Sequence, residues 1–328
     1  MSMGGKLDSR DFKILKLLSQ NSRISNSAIA KQVKISKQAV KQRIDKLKYS
    51  GTILSFSSSI CEPLLGKVSH VVLFELNHLD KERKDLIRET VAGTPSVSFA
   101  SFLLGQYSLW IYLVNDSLGE FEEALLKIIS TLSDSFKSYQ VLTVIEQYDF
   151  SSFGEGFKIN NKHTPHILKK FDNRKKISLT DLEKAVTESL KKNSRDSLTN
   201  IAKKCDSTQN TVLRTINNLV DKGLILKHSI VTNLAPHGRM RHYCLVSLNK
   251  PFSMNTLLSL AQKLKNISVI VHMLGSWNFN IVINSKDSEH LSSTIEEIKK
   301  VLDSNHAAIN VLEIKELISL QQRPLPKA

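Results

Sequence analysis

An internal repeat constrains this chain more than any other feature of its 328 residues. A shift of 172 positions aligns Leu18–Arg23 with Leu190–Arg195, and the alignment continues without a gap as far as Leu76. Near a later glycine turn the shift becomes 170, because Leu104-Gly105 then aligns with Leu274-Gly275. A repeat of this length indicates two copies of one structural unit in a single chain.

Each unit opens with a pattern of short helices. Asp8 precedes the first apolar-periodic run as an N-cap residue, and Ser25 and Ser36 precede the next two. Gly51 suits the left-handed end of the third helix. Residues 53–60 then alternate apolar side chains with serine, which is the period of a strand. Three helices followed by a strand predict a winged helix-turn-helix.

The second part of each unit alternates strands with helices. In the first copy the pattern predicts strands over 68–76, 97–104, 108–114 and 141–148, with helices over 81–91 and 121–132. The order β-α-β-β-α-β predicts a ferredoxin-like domain, in which an antiparallel sheet carries two helices on one face. Because the other face must also be covered, we expect the two sheets to pack face to face within the chain.

The predicted fold class is therefore α+β, with two tandem units that each contain a winged helix-turn-helix and a ferredoxin-like (βαββαβ) association domain. The predicted divisions are a disordered tail over 1–6, the first helix-turn-helix over 7–62, the first ferredoxin-like domain over 63–150, a linker over 151–178, the second helix-turn-helix over 179–233, the second ferredoxin-like domain over 234–319 and a tail over 320–328.

Charge and cysteine content narrow the class of partner. The net charge is +15, from 46 Lys and Arg against 31 Asp and Glu, which favours a polyanion: nucleic acid or an anionic membrane surface. No apolar run approaches the ~20 residues of a spanning helix, so nucleic acid is favoured over membrane. Cys61, Cys205 and Cys244 are widely spaced without a CxxC pair, which indicates reduced thiols in a cytosolic protein.

The outward face of the third helix carries the side chains expected to contact DNA. Glutamine can pair with adenine and lysine with guanine, while other basic groups contact phosphates. The candidates are Ser36, Lys37, Gln38, Lys41, Gln42 and Arg43 in the first unit, and Gln209, Asn210, Thr211 and Arg214 in the second. Two alternatives stay open: these are ordinary solvated helix residues, or Arg43 anchors the helix through its stem.

The two copies of this helix differ in charge. Lys37, Lys41, Arg43 and Lys46 of the first unit become Gln209, Leu213, Thr215 and Asn218 in the second. Fewer phosphates can be neutralised by the second copy, so it contributes less of the salt-dependent affinity. We expect the first helix-turn-helix to supply most of the affinity and the second to serve tuning or assembly.

Four segments of the first unit carry a family resemblance: LDSRDFKILKLL, NSRISNSAIAKQV, ISKQAVKQRIDKLKYSGTI and LLGQYSLWIYLV. They resemble the Lrp/AsnC (feast/famine) family of archaeal and bacterial transcription regulators. The resemblance implies a cytoplasmic regulator that binds double-stranded DNA, dimerises through its ferredoxin-like domain and often senses an amino acid or related metabolite there. Family members usually carry one unit per chain, so this chain resembles a covalent pseudo-dimer, and further homo-oligomers are expected.

The resemblance also implies an effector site near a hairpin whose family motif is Gly-x-Tyr-Asp. The matching residues are Gly105, Tyr107 and Ser108 in the first unit, and Gly275, Trp277 and Asn278 in the second. Both copies lack the acidic residue, so the α-amino group of an amino acid would lose one charged partner. The alternative is that the glycines only form a tight hairpin turn.

An enzyme must be weighed as well, because paired units of this kind also resemble the sirohaem decarboxylases. The candidate residues are His242, Arg239, Arg241 and the run Trp277–Asn280. The proline-bearing motif of those enzymes is absent, and no nucleophile triad, carboxylate pair or phosphate-binding loop stands out. The sequence therefore predicts a DNA-binding regulator rather than an enzyme, with no cofactor and no metal. A partner scaffold without DNA contact is the third hypothesis.

Overall fold

The computed structural model describes residues 7–150, 166–168 and 176–319, and it confirms the α+β class with two tandem units. The helices are α1 Ser9–Gln20, α2 Asn26–Val33, α3 Lys37–Tyr49, α4 Lys81–Ala92, α5 Leu118–Leu132, α6 Asp181–Lys192, α7 Leu198–Lys204, α8 Gln209–Asp221, α9 Met254–Lys263 and α10 Ser288–Leu302. The strands are β1 Ile53–Ile60, β2 Val68–Leu76, β3 Val97–Leu104, β4 Leu109–Asn115, β5 Phe136–Asp149, β6 His166–Leu168, β7 Ile225–Thr232, β8 Met240–Leu248, β9 Ile267–Leu274, β10 Phe279–Ser285 and β11 His306–Ser319.

Capping fixes where the first helix of each triplet begins. The side chain of Asp8 accepts hydrogen bonds from the backbone N–H groups of Arg10 and Asp11, and Asp11 bonds back to the Asp8 N–H. Thr180 and Glu183 form the corresponding capping box at α6. These reciprocal bonds satisfy backbone donors that the helix itself leaves without partners.

The strand that follows each helix triplet pairs with its counterpart in the other unit. β1 and β7 form a two-stranded antiparallel ribbon, with Ser57 opposite Ser229. The cores of the two triplets are composite as a result, because Ile60 packs into the second core and Leu234 into the first. The ribbon therefore ties both helix-turn-helix triplets to one shared element.

The two ferredoxin-like sheets join at their edges into a closed barrel. The strand order is β2-β4-β3-β11-β8-β10-β9-β5, and β5 closes the ring by pairing with β2. The first half of β5 pairs with β2 of its own unit and the second half with β9 of the other. β11 repeats this arrangement between β8 and β3. The two sheets thus face each other as predicted, and hydrogen bonds between β5 and β9 and between β11 and β3 also join their edges.

Side chains from both units fill the barrel. The inner cluster includes Val71, Leu73, Trp110, Tyr243 and Leu245, all buried. Two further clusters lie outside the barrel wall, one beneath α4 and α5 and the other beneath α9 and α10. The barrel and its covering helices therefore form three apolar layers, one inside the barrel and two outside it.

The short strand β6 lies within the predicted linker over 151–178, and the domain divisions themselves stay a prediction. β6 pairs antiparallel with the end of β5, with His166 opposite Asp149. The predicted tails over 1–6 and 320–328 lie outside the described residues. Within the ranges given above, no helix has both the length and the apolar character needed to cross a membrane.

Candidate nucleic-acid interface

The predicted DNA-contacting side chains of α3 lie on its solvent face. Lys37, Gln38, Lys41 and Gln42 are exposed, whereas Val40, Ile44 and Leu47 are buried on the opposite side. The hydroxyl of Ser36 caps the helix by accepting from the Ala39 N–H at 3.1 Å. An exposed, capped helix with basic and amide side chains has the form of a major-groove reader.

A left-handed residue sets the turn that separates α2 from α3. Lys34 has φ +57°, and its counterpart Asp206 has φ +46°. The two turns therefore match in backbone geometry while the side chain changes from a cation to an anion. The change adds to the charge difference between the two units.

The structure gives Arg43 a different partner from DNA. Its guanidinium contacts Asp8 and Asp11 at the start of α1, each at 2.7 Å. The hydrogen bonds to Asp11 and Asp8 raise the pKa of Arg43. Arg43 thus joins α3 to α1 through its guanidinium rather than through the packing of its stem, and DNA contact by Arg43 stays a prediction.

The second recognition helix, α8, presents a less basic face. Residues 37–49 hold five basic residues and one acidic one, a net charge of +4, whereas the equivalent residues 209–221 hold one of each. Gln209, Asn210, Thr211 and Arg214 are exposed, as predicted for base contacts. Leu213, which stands where Lys41 does, leaves 44% of its surface exposed. The exposed face of α8 therefore carries an apolar side chain at a position where the exposed face of α3 carries a cation.

A different ion pair supports α8. The carboxylate of Glu183, the counterpart of Asp11, lies 2.6 Å from Lys222 Nζ. Hydrogen bonds from Lys222 and from the Thr180 backbone lower the pKa of Glu183. In each triplet an ion pair thus joins the first helix to the recognition helix. The cation is Arg43, within α3, in the first unit and Lys222, at the end of α8, in the second.

The two triplets meet at a pseudo-twofold contact. Arg23 Nη1 donates to the carbonyls of Ser194 and Asp196 at 2.7 and 3.1 Å. Arg195 Nη1 donates to the carbonyls of Ser22 and Ile24 at 2.5 and 2.9 Å. Because each arginine bonds the opposite unit, the relative orientation of the two recognition helices is fixed by matched contacts.

The hairpin residues named for an effector site lie at the rim of the barrel. Tyr107 and Trp277 are both buried, and the indole Nε1 of Trp277 donates to the Tyr107 hydroxyl at 3.1 Å. Ser108 and Asn278 are half-buried, and Gly105 and Gly275 are exposed. The two aromatic side chains therefore pack in the barrel core, and the effector site at the hairpins stays a prediction.

The residues named for a tetrapyrrole enzyme do not converge. His242 is buried beside Ser285, and Trp277 lies in the barrel core. Arg241 and Asn280 do line a cavity between the ribbon and the barrel, together with Lys227. Sequence reasoning missed Lys227, because a lysine in an alternating strand reads as a solvent-facing residue.

Comparison with known proteins agrees with this geometry. A family described as winged helix-turn-helix DNA-binding matches residues 7–53. The uncharacterized HTH-type transcriptional regulator PH1013 of Pyrococcus horikoshii is 30% identical over 149 residues, which cover 43% of this chain and 88% of that protein. A second regulator from that organism, PH0140, is 24% identical over 44% of this chain and 92% of its own length.

One solved structure is similar to the whole two-unit arrangement. The sirohaem decarboxylase NirDL superposes with a TM-score of 0.57 at 16% identity, covering 95% of this chain and 92% of that one. At this identity the similarity shows a common fold and nothing about activity. The regulator relatives, by contrast, match about half of this chain, which is one unit. By its sequence motifs, its helix-turn-helix and these relatives, the chain belongs to the Lrp/AsnC family of helix-turn-helix transcriptional regulators.

Proposed function

We propose that this regulator binds specific sites on double-stranded DNA as a covalent pseudo-dimer in the cytoplasm. The observation that carries the proposal is that α3 and α8 occupy equivalent positions on two triplets joined by one ribbon. Two recognition helices related by a pseudo-twofold suit two half-sites spaced by one or more helical turns, ~34–36 Å per turn. Because the units share a chain, their pairing does not depend on a bimolecular encounter.

The two half-sites are expected to contribute unequally. Lys37 and Lys41 of α3 are exposed cations, whereas the matching positions of α8 hold Gln209 and Leu213. Phosphate neutralisation supplies the salt-dependent part of affinity, so more of it comes from the first unit. Gln38 and Gln42, on the same face, are the proposed base readers.

The test begins with chromatin immunoprecipitation and sequencing to obtain an operator, followed by fluorescence anisotropy on that duplex and a scrambled one. We expect Lys41→Ala to weaken operator binding about tenfold and Arg214→Ala to weaken it about threefold or less. Lys263→Ala, at an exposed position on α9 outside the barrel wall, is the matched charge control and should leave affinity unchanged. Equal losses for the first two variants would remove the asymmetry, and equal affinity for both duplexes would favour the scaffold hypothesis.

Effector binding and higher assembly are further parts of the proposal. A metabolite related to amino acids would bind near Gly105 or Gly275, on the family's precedent. The missing acidic residue and the buried Tyr107 and Trp277 argue that such a site would differ from the usual one. Association of pseudo-dimers into larger homo-oligomers is proposed on the family alone, and light scattering of the purified chain would test it.

The sirohaem decarboxylase hypothesis is the second candidate, favoured by the fold similarity to NirDL. It fits less well, because His242 and Trp277 lie away from the cavity that Arg241 lines. An absorbance shift on mixing the purified chain with sirohaem, together with loss of carboxylate groups, would support the enzyme. An unchanged tetrapyrrole spectrum would argue against it.

A further inference from the structure

A cavity of about 330 Å³ lies between the β1–β7 ribbon and the barrel. It straddles the pseudo-twofold axis, because its lining includes the equivalent pairs Ser57 with Ser229 and Ser98 with Ser268. Its size falls at the lower end of the range of small-molecule sites. The cavity is distinct from the hairpins, which lie at the rim of the barrel.

Two cations line this cavity and are withdrawn from bulk water. Arg241 is partly buried on β8, and among the described residues its side chain makes one hydrogen bond, from Nε to Asn284 Oδ1 at 3.1 Å, and no ion pair. Lys227 of β7 is also partly buried, and Asp149 attracts it. Burial lowers the pKa of both groups. Asp149 also lines the cavity, so Arg241 is the cation that has no carboxylate partner in the described chain. A cation held out of water without such a partner costs stability unless an anion joins it.

The lining also contains buried polar atoms without hydrogen-bond partners in the described part of the chain. They are the indole Nε1 of Trp110 and the amide Oδ1 of Asn280, in side chains that are each 1% exposed. Trp110 and Asn280 occupy equivalent positions, 170 residues apart, on β4 and β10. Buried polar atoms are nearly always paired, so two unpaired atoms in side chains that line one cavity favour a ligand that reaches and pairs them.

Part of the remaining wall is aromatic. The rings of Phe99 and Tyr112 are stacked, with centroids 5.1 Å apart and planes within 12°. The rings of Trp110 and Tyr243 lie 4.4 Å apart. Aromatic faces of this kind favour offset or edge contact with another planar ring.

We propose that this cavity binds a small aromatic carboxylate, whose anionic group pairs with Arg241 and Lys227 and whose ring packs against Trp110 and Tyr243. Polar substituents on the ring would pair the Trp110 indole and the Asn280 amide. The guanidinium offers the fork geometry that recognises a carboxylate through two hydrogen bonds.

The chemistry of the site is asymmetric although its frame is symmetric. The counterparts of Arg241 and Lys227 are Ser69 and Ser55, and the counterpart of Trp110 is Asn280. A ligand on the axis therefore meets cations from one unit and an indole from the other. Two identical chains would present every such group twice, so this one-sided site depends on the fusion of the two units.

The position of the cavity links a ligand to the helix-turn-helix pair. Ribbon residues Ser57, Ser229 and Lys227 form one wall, and barrel residues form the other. A bound molecule would tie the ribbon, and with it both triplets, to the barrel. This coupling rests on the proposed DNA-binding function, whereas ligand binding itself does not.

Benzoate is the probe for the test, and fluorine NMR of the full chain labelled with 5-fluorotryptophan is the readout. The chain has two tryptophans, so Trp110→Phe assigns both signals. We expect benzoate to shift the Trp110 signal with a Kd on the order of 1–10 mM, and the Trp277 signal to stay in place. Neutral benzamide at the same concentrations should shift neither signal.

Arg241→Met and Lys227→Met should each raise the benzoate Kd at least tenfold, and Arg239→Met is the matched control. Arg239 carries the same charge two residues upstream and does not line the cavity. Because Arg241→Met removes a buried cation that has no ion pair in the described chain, we also expect it to raise Tm. No shift up to roughly 20 mM benzoate, equal shifts with benzamide, or unchanged binding by Arg241→Met and Lys227→Met would overturn the site.

The coupling has a separate readout. Benzoate at saturation should change operator affinity in the unmodified chain and leave it unchanged in Arg241→Met. A fluorine shift without any change in operator affinity would sustain the ligand site and overturn the coupling. If no operator is found, the proposed DNA function fails while the fluorine measurement still decides the ligand site.

Discussion

Ser22 and Ser194 are 172 positions apart, the period of the repeat, and their hydroxyl oxygens lie 2.5 Å from each other. Both side chains are fully buried. The backbone N–H of Ser22 donates to the His228 carbonyl at 3.0 Å, and that of Ser194 donates to the Phe56 carbonyl at 3.1 Å. This pair marks the pseudo-twofold axis where the two helix-turn-helix triplets meet.

Removing one of the arginines beside this contact should destabilise the triplets while the stability of the barrel stays unchanged. In Arg195→Met the carbonyls of Ser22 and Ile24 lose their donor, which should cost about 2 kcal/mol. Circular dichroism at 222 nm should show part of the helix signal lost at lower urea concentration. The fluorescence of Trp110 and Trp277, both in the barrel, should keep its midpoint. Coincident shifts of both signals would contradict the separation.

The exposed face of α8 offers a gain-of-function prediction. Leu213→Lys restores the cation found at Lys41, so operator affinity should rise about threefold to tenfold and the slope of log affinity against log salt should steepen by about one. Anisotropy titrations at several salt concentrations measure both. Val220→Lys, which adds the same charge at another exposed apolar site on the same helix, is the control for general attraction. Equal gains from both variants would argue that the added charge acts without a specific contact.

The buried imidazole of His228 makes the ribbon sensitive to acid. Burial, followed by repulsion from Arg23, lowers the pKa of His228 to about 4, and its Nδ1 lies 2.7 Å from the Ser58 hydroxyl. Above pH 6.5 the imidazole is neutral in both folded and unfolded states, so it adds no pH dependence. Between pH 6.5 and 4 only the unfolded state takes up the proton, and stability falls by about 2 to 3 kcal/mol.

We therefore expect His228→Gln to lose less stability than the unmodified chain between pH 6.5 and 4. Urea denaturation followed at each pH measures the difference. His78→Gln, at an exposed site, is the matched control and should follow the unmodified chain. Some acid sensitivity should persist, because burial also lowers the pKa of His70 and His242. Parallel curves for His228→Gln and the unmodified chain would refute the assignment.

The hairpin glycine of the second unit is expected to tolerate no side chain. Gly275 has φ +140°, and a Cβ there would lie 2.6 Å from Leu142 Cδ2 and 3.2 Å from the Val141 carbonyl oxygen. Gly275→Ala should destabilise the barrel by about 2 to 4 kcal/mol, through backbone strain and overpacking. Gly223→Ala should cost about 1 kcal/mol, since φ is +71° there but no atom lies within 4 Å. Tryptophan fluorescence in urea measures the cost of Gly275→Ala in the barrel, and circular dichroism at 222 nm measures the cost of Gly223→Ala at the end of α8. Equal costs would exclude the clash.

Local elements were predictable because their causes are local. The caps Asp8, Ser25 and Ser36 and the apolar spacing of α3 lie within a few residues of what they determine. The partner of each strand is not local. The alternation of apolar residues in β1 would be the same whether β1 paired within its own unit or with the other unit. The sequence near Ile60 therefore does not predict that Ile60 packs in the core of the second triplet.

The length of β5 and the cavity show the same limit. The predicted strand began at Val141, but β5 begins at Phe136, since residues such as Lys137 and Ser138 lack apolar alternation and are held by pairing with β2. Predicting the cavity would have required knowing that Lys227 of the ribbon and Arg241 of the barrel line the same space. The spacing of apolar residues along the sequence predicts individual helices and strands well, but it does not predict which strands and sheets come into contact.

The two strands that pass from one unit to the other have a consequence for the cell. Because β5 and β11 each belong to both sheets, the units cannot part without breaking the barrel. Chains that carry one unit can exchange subunits with their relatives, and their pairing varies with concentration. This chain keeps its composition at any expression level and cannot form mixed pairs through the same interface, so the difference in charge between α3 and α8 is inherited as a single gene product.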